Sequence, residues 1–248
     1  MKHVSQWLRR RKTRQRSKLY RYTNRVVTVV GIAYVLLIFF PSPLFAWQVD
    51  IGNFRIFSDR PIPSEIEQIV RRAAARLGTS PFYSGTESFH IYIANDGWRR
   101  KLLNPRASKA FGASLVFTGN TILNRADIKQ DRIHNDQPVH NQRSLHQVIA
   151  HECTHHLLVG NLRLLQYLRL PEWKEEGYCE YVAGGSTIPP DEAMRLLVKA
   201  ETDSSPAFRY ATYHIAAREC LDRRGMSVEA FFESEVDFHE LLDAVVSP

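Results

Sequence analysis

No aspartate or glutamate precedes Asp50, whereas Met1 to Arg25 hold ten Lys or Arg. The formal net charge of +7 is therefore a property of the N-terminus. Without those ten, the 33 basic residues fall below the 26 acidic ones. The basicity belongs to the tail, so the high average does not argue for a nucleic-acid-binding domain in the body of the chain. Cysteine is scarce: Cys153, Cys179 and Cys220 are the only three. An odd, widely spaced set excludes a disulfide framework. Cys153 and Cys179 lie in helical motifs and read as small packing residues. In an oxidising compartment two of the three can pair, and spacing does not choose which. No internal repeat occurs, which excludes a repeat array, and no low-complexity segment occurs beyond the basic tail.

What is present is an ordinary globular composition of 44% hydrophobic and 24% charged residues over 248 positions. That length suits one sizeable domain with appendages, or two small ones. Directly after the basic tail stands VVTVVGIAYVLLIFF, Val26 to Phe40, without a charge. Extended through Pro41 and Pro43 to Trp47, it suffices for one membrane span of roughly 20 residues. Tyr20, Tyr22 and Trp47 suit the two interfaces, and the positive-inside rule puts the tail in the cytoplasm and the rest on the far side. A cleaved signal peptide is the alternative, since the strongly apolar core is short. The length of the basic region and Leu44, where a cleavage site prefers a small residue, favour an uncleaved anchor. The expected organisation is a tail over 1–25, an anchor over 26–47 and a domain over 48–248. Beside an apolar span, the tail fits anionic lipid head groups better than nucleic acid.

In the domain, Phe54–Ser58 and Phe89–Ala94 read as strands. Ser64 to Gly78 reads as a helix capped by Ser64, with Ile66, Ile69, Val70, Ala73 and Leu77 at helical spacing. Ser114–Asn124 suggests a hairpin turning at Gly119-Asn120. The polar stretch Arg125–Arg143 reads as a mobile surface loop and a candidate cover for a site. From Ser144 the pattern is helical almost to the end. Strands followed by helices predict an α+β domain.

The chemistry concentrates in HECTHH, His151 to His156. It sits in a helix that Ser144 can cap and Gly160 can stop, with Leu145, Val148, Ile149, Cys153 and Leu157 on one face. Residues four apart lie about 40° apart around a helix and about 6 Å along it, so His151 and His155 can face one metal ion. Glu152, about 100° round from His151, can reach a water at that metal without being a ligand. As general base it would take the water's proton and pass it to a leaving amine. A catalytic zinc needs a third protein ligand. Downstream, LPEWKEEGYCEYVAGG begins a helix at Pro171 and ends it at Gly184-Gly185. Glu176 is the chosen third ligand. Glu180, four residues on and on the same face, can accept the other N–H of His151 and fix its tautomer. Glu172 and Glu175 read as solvated acids of the first turn.

His151-Glu152-x-x-His155 followed by PEWKEEGYCEY resembles the gluzincin branch of zinc metallopeptidases, nearest to the peptidase-MA-like pattern Pro-x-Trp-x-x-Glu-Gly-x-Ala-x-Tyr. Pro171, Trp173, Glu176, Gly177 and Tyr181 match, and Cys179 stands at the alanine position. The resemblance implies a zincin-like fold, Zn2+ held by His151, His155 and Glu176, Glu152 as general base and a peptide or protein substrate. It also implies a sheet edge above the active-site helix that binds extended peptide, for which GNTILN is the nearest strand. Glu180 resembles the acid that supports a zinc histidine in some gluzincins, although that acid is usually Asp. A developing oxyanion needs a donor. Tyr210, Tyr213 and His214, in a later helix, are the candidates by role, although an apolar stripe of Phe208, Ala211, Ile215 and Leu221 also suits packing. His156 reads as a packed bystander, and His134, His140 and His146 as surface residues.

The reading is thus a membrane-anchored zinc peptidase facing away from the cytoplasm. Its rivals are an inactive zincin-fold binding module, a zinc hydrolase of another amide such as a cell-wall peptide link, and an anchored interaction protein with an accidental motif. Glu152 speaks against the first, because a structural zinc site has no use for it.

Overall fold

A computed structural model describes residues 2–105, 109–199 and 205–246, with side chains from Tyr20 onward. The chain divides into two compact units, Met1–Pro41 and Ser42–Pro248. The first is a single helix, α1 (Lys2–Phe39). Within it, Tyr20–Phe39 is long and apolar enough to cross a membrane, the one such helix among the described residues. The basic side chains up to residue 19 lie outside the described set. The helical segment ends earlier than the expected 26–47. Pro41 and Pro43 cannot continue a helix, Ser42–Leu44 forms a 3₁₀ turn, and Trp47 opens the first strand.

The second unit is mixed α and β. It runs β1 (Trp47–Ile51), β2 (Phe54–Ser58), α2 (Ile66–Leu77), β3 (Phe89–Ile93), α3 (Gly97–Leu103), β4 (Gly112–Leu115) and β5 (Asn120–Leu123). These strands form one sheet in the order β1-β2-β3-β5-β4. β2, β3 and β5 are parallel, and the outer strands β1 and β4 are antiparallel to their neighbours. The expected hairpin is present, but its turn spans 116–119 and Asn120 already pairs with Leu115. The sheet edge is therefore β4, and the GNTILN strand β5 lies inside, between β3 and β4.

The stretch 125–143 is not a loop. It forms a second sheet of β6 (Ala126–Asp127), β7 (Arg132–His134) and β8 (Gln142–Ser144). Ile128 and Ile133 are buried beneath it, and two such anchors suffice to hold a short polar sheet against the core.

Helices complete the unit: α4 (Leu145–Asn161), α5 (Leu164–Tyr167), α6 (Glu172–Ala183), α7 (Pro190–Val198), α8 (Pro206–Arg218), α9 (Val228–Glu233) and α10 (Phe238–Val246). One π-helical turn, Glu219–Arg223, prolongs α8. The core joins Ile56, Ile91 and Leu123 of the sheet to Ile69, Val70 and Leu77 of α2. Val148, Ile149 and Leu157 of α4 and Tyr178 and Val182 of α6 complete it. Each such side chain contributes about 1.5–3 kcal/mol on burial.

Two expected caps are made differently. α2 begins from a turn at Pro63–Glu65, and the Ser64 hydroxyl faces the Glu65 carboxylate instead of a helix N–H. Ser144 precedes α4 without a side-chain cap bond. Asp131 caps α4 from the small sheet: its carbonyl accepts from Leu145 N at 3.1 Å and its Oδ1 from His146 N at 3.0 Å. At its other end α4 passes Gly160 and stops after Asn161.

Candidate metal centre

α4 and α6 pack together, and so the periodicity of each brings its chemistry to one place. His151 and His155 occupy successive turns of α4 and are buried. Glu176 on α6 reaches them: its Oε2 lies 3.2 Å from His151 Nε2 and 3.7 Å from His155 Nε2. One ligand atom from each of the three falls within 4.8 Å of the others. Glu176 Oε2 is buried and has no hydrogen-bond partner among the described residues. A buried carboxylate oxygen without a partner is costly. Tetrahedral zinc with bonds of about 2.0–2.2 Å separates its ligand atoms by about 3.3 Å, and two nitrogens with one oxygen suit that ion. The three residues therefore fit a zinc-sized cation.

Their electrostatics agree. Burial pushes the His151 imidazole down, but Glu180 and Glu176 outweigh it and raise its pKa to about 9. His155 is likewise held well above the usual range, burial being outweighed by Cys179, Glu176 and Glu175 around it. Burial alone would raise Glu176, yet the two imidazoles hold it well below the usual carboxylate range. Without a metal, protons hold the place of the cation, and binding one displaces them.

Each histidine has its own support. Glu180, completely buried, places Oε1 3.3 Å from His151 Nδ1, a close charge contact rather than an aligned hydrogen bond. Arg143 of β8 grips both Glu180 oxygens, at 2.9 and 2.5 Å, and the Gly185 carbonyl. His155 Nδ1 donates to Glu175 Oε1 at 2.9 Å, and the Tyr167 hydroxyl donates to the same oxygen at 2.8 Å. In both cases Nδ1 faces a carboxylate, which leaves Nε2 turned to the centre. Glu175 is thus not a solvated first-turn acid. Glu172 is exposed as expected, paired with Arg209 at 3.4 Å. Sequence reasoning missed Glu175, Arg143 and Tyr167. A signal for Glu175 was available: it is the neighbour of Glu176 in a helix that follows a tight connection.

Glu152 stands outside the three. The Ser114 hydroxyl on β4 lies 2.8 Å from its Oε2 and 2.6 Å from its carbonyl. Gly112 makes room for it, because a Cβ there would lie 3.0 Å from Glu152 Oε1 and 2.7 Å from Leu123 Cδ2. Gly177, beside Glu176, plays the same part for α8: a Cβ would lie 2.6 Å from the Tyr213 carbonyl oxygen.

That packing brings α8 to the centre and separates its three candidates. The Tyr210 ring lies 6.4 Å from the His151 ring, nearly parallel to it. The Tyr213 hydroxyl faces Glu172 at 3.5 Å, and its ring packs edge-on against Phe238. His214 is buried with an unpartnered Nδ1, and burial lowers its pKa to about 4. Glu180, Arg218 and Arg143 all act on its charge, which couples it to the His151 support.

Among the remaining histidines, His156 Nε2 pairs with Thr121 Oγ1 at 3.0 Å and takes no part in the centre. His146 is not a surface residue; it is buried, with Nδ1 2.6 Å from Asp131 Oδ2. His134 is half-buried at the end of β7, and His140 is exposed. All three cysteines are buried and free. No family model matches the chain, and no curated protein matches it.

Proposed function

We propose that the chain is a membrane-anchored zinc peptidase of gluzincin type, with a zincin-like domain outside the cytoplasm. The observation that carries this reading is the unpartnered Glu176 Oε2, facing two imidazole nitrogens at 3.2 and 3.7 Å. Glu152 adds the catalytic sense. It follows His151 on α4 without belonging to the three, and a structural site has no use for it.

When bound by His151, His155 and Glu176, zinc supplies a Lewis acid that polarises the substrate carbonyl and makes a water more acidic. Glu152 takes the proton of the attacking water and passes it to the departing amine. Ser114 holds its Oε2, which leaves Oε1 for that transfer. The substrate backbone adds as a further strand to β4, the outermost strand of the sheet among the described residues. Tyr210, the α8 candidate beside His151, is assigned to the developing oxyanion. The positive-inside rule, applied to the basic tail beside the apolar helix, supports the assignment of this domain to the far side of the membrane.

The test uses the full-length protein in detergent, with bound zinc measured beside cleavage of a mixed peptide library. Glu152→Gln is expected to keep its zinc and lose cleavage by about 10²–10⁴-fold. Glu176→Ala is expected to lose the zinc. Wild-type protein that binds no zinc sinks the reading; zinc without cleavage reduces the protein to a zinc-binding module.

A further inference from the structure

The end of the main sheet nearest the anchor along the chain carries exposed features that the metal centre does not use. Trp47, Ser58 and Ile93 lie in register there. Immediately beyond them come Arg60 and the first turn of α3. Trp98 of α3 is 52% exposed and Trp47 is 48% exposed. Tryptophan is usually well buried in a soluble fold, and two half-exposed rings at one sheet end need a reason.

Arg99 ties this end to the segment that follows the apolar helix. Its Nε donates to the Leu44 carbonyl at 2.6 Å, and its guanidinium lies 4.4 Å from the Trp98 ring and 6.0 Å from the Phe45 ring. Phe45 is buried and packs on Tyr92 at 5.2 Å. The tether is therefore built into the domain.

Charge selects the occupant. Arg60, two residues beyond Ser58, and Lys101, three residues after Trp98 and so on the same face of α3, are exposed. The neighbouring acids are engaged: Asp59 accepts from Asn95 Nδ2 and Asp96 N, each at 2.8 Å, and Asp96 pairs with Arg99. Exposed here are two indoles and two cations. Indole rings favour the headgroup level of a bilayer, and cations favour anionic phospholipid.

We propose that Trp47, Arg60, Trp98 and Lys101 form a foot that rests in the phospholipid headgroup layer and fixes how the domain stands on its membrane. The proposal depends on the reading of α1 as an anchor. The full-length protein is reconstituted in vesicles of phosphatidylcholine and phosphatidylglycerol, with bromine on the acyl chains near the carbonyl. Fluorescence quenching is compared between wild type and Trp98→Phe, so that the other tryptophans cancel in the difference. The expected result is loss of a bromine-quenched, iodide-protected component in Trp98→Phe. Arg60→Glu with Lys101→Glu is expected to weaken quenching of Trp98 and expose it to iodide, with bound zinc unchanged. Alkaline carbonate separates the two failures. Release of the protein from the vesicles overturns the anchor and the foot together. Retention with no Trp98 component in the quenching difference overturns the foot alone.

Discussion

The two histidines of the centre stand against different walls. Behind His151 the wall is dry and charge-compensated: Glu180 is completely buried, and Arg143 from the small sheet grips both of its oxygens. Behind His155 the wall is half-open: Glu175 is partly exposed and, among the described residues, receives the imidazole and the Tyr167 hydroxyl. A buried ion pair broken on one side leaves an uncompensated charge, whereas a half-exposed carboxylate falls back on water. The first wall therefore couples the centre to the stability of the fold. The second can orient a ligand without bearing that load.

Removing Arg143 is the most severe way to break this contrast. Arg143→Met leaves Glu180 buried beside a single imidazole, and a cost of about 3–5 kcal/mol is expected. Denaturant unfolding of the chelator-treated protein reads it directly. The metal is left out so that ligand linkage does not mask the loss. An unfolding free energy within about 1 kcal/mol of wild type would mean that this wall carries no more load than a surface pair.

A proton probes the same wall with a smaller effect. Burial depresses the His214 pKa to about 4, against an ordinary value of about 6.5. The unfolded chain therefore takes up a proton that the folded chain refuses. The associated stability is fully present above about pH 6.5 and is lost as pH falls towards 4, on the order of 3 kcal/mol in all. His214→Asn removes this titration. Its stability is expected to fall less steeply than wild type between those pH values, while the other histidines contribute alike to both proteins. Parallel curves would place the acid sensitivity elsewhere.

The walls also differ in how far they could be read from the chain. His151, His155, Glu176 and Glu180 were legible because each pair lies within one helix, where spacing alone puts side chains on one face. Joining α4 to α6 needed only a short connection and a hydrophobic face on each. Arg143 was not legible. It sits in a polar stretch without periodicity, and its role depends on where β8 docks, a non-local fact. Asp131, which caps α4 in place of the adjacent Ser144, was hidden for the same reason. The edge strand was misread because strand order depends on crossovers: β5 is nearer to α4 in the chain, but it pairs in parallel with β3 and leaves β4 outermost. Glu175 was assigned to solvent on helical position alone. The short α5 folds back over it and brings the Tyr167 hydroxyl within 2.8 Å, a contact that no periodic pattern encodes.

The open wall makes the mildest and most discriminating prediction. Glu175→Gln keeps the shape of the side chain and can still accept from His155 Nδ1, but it removes the charge that favours that tautomer and raises the basicity of Nε2. Supports of this kind change metal affinity by about 10–100-fold. Zinc affinity by chelator competition is therefore expected to weaken over that range, with the unfolding free energy of the metal-free protein nearly unchanged. Tyr167→Phe should act in the same direction and less, because it removes one hydrogen bond worth about 0.5–1.5 kcal/mol and leaves the carboxylate in place. The pair of variants separates orientation from load. If Glu175→Gln destabilises the metal-free fold as much as Arg143→Met does, the two walls are alike and the contrast fails. If zinc affinity is untouched in both Glu175→Gln and Tyr167→Phe, His155 is oriented by the packing of α4 alone, and Glu175 is the solvent-facing acid that its position first suggested.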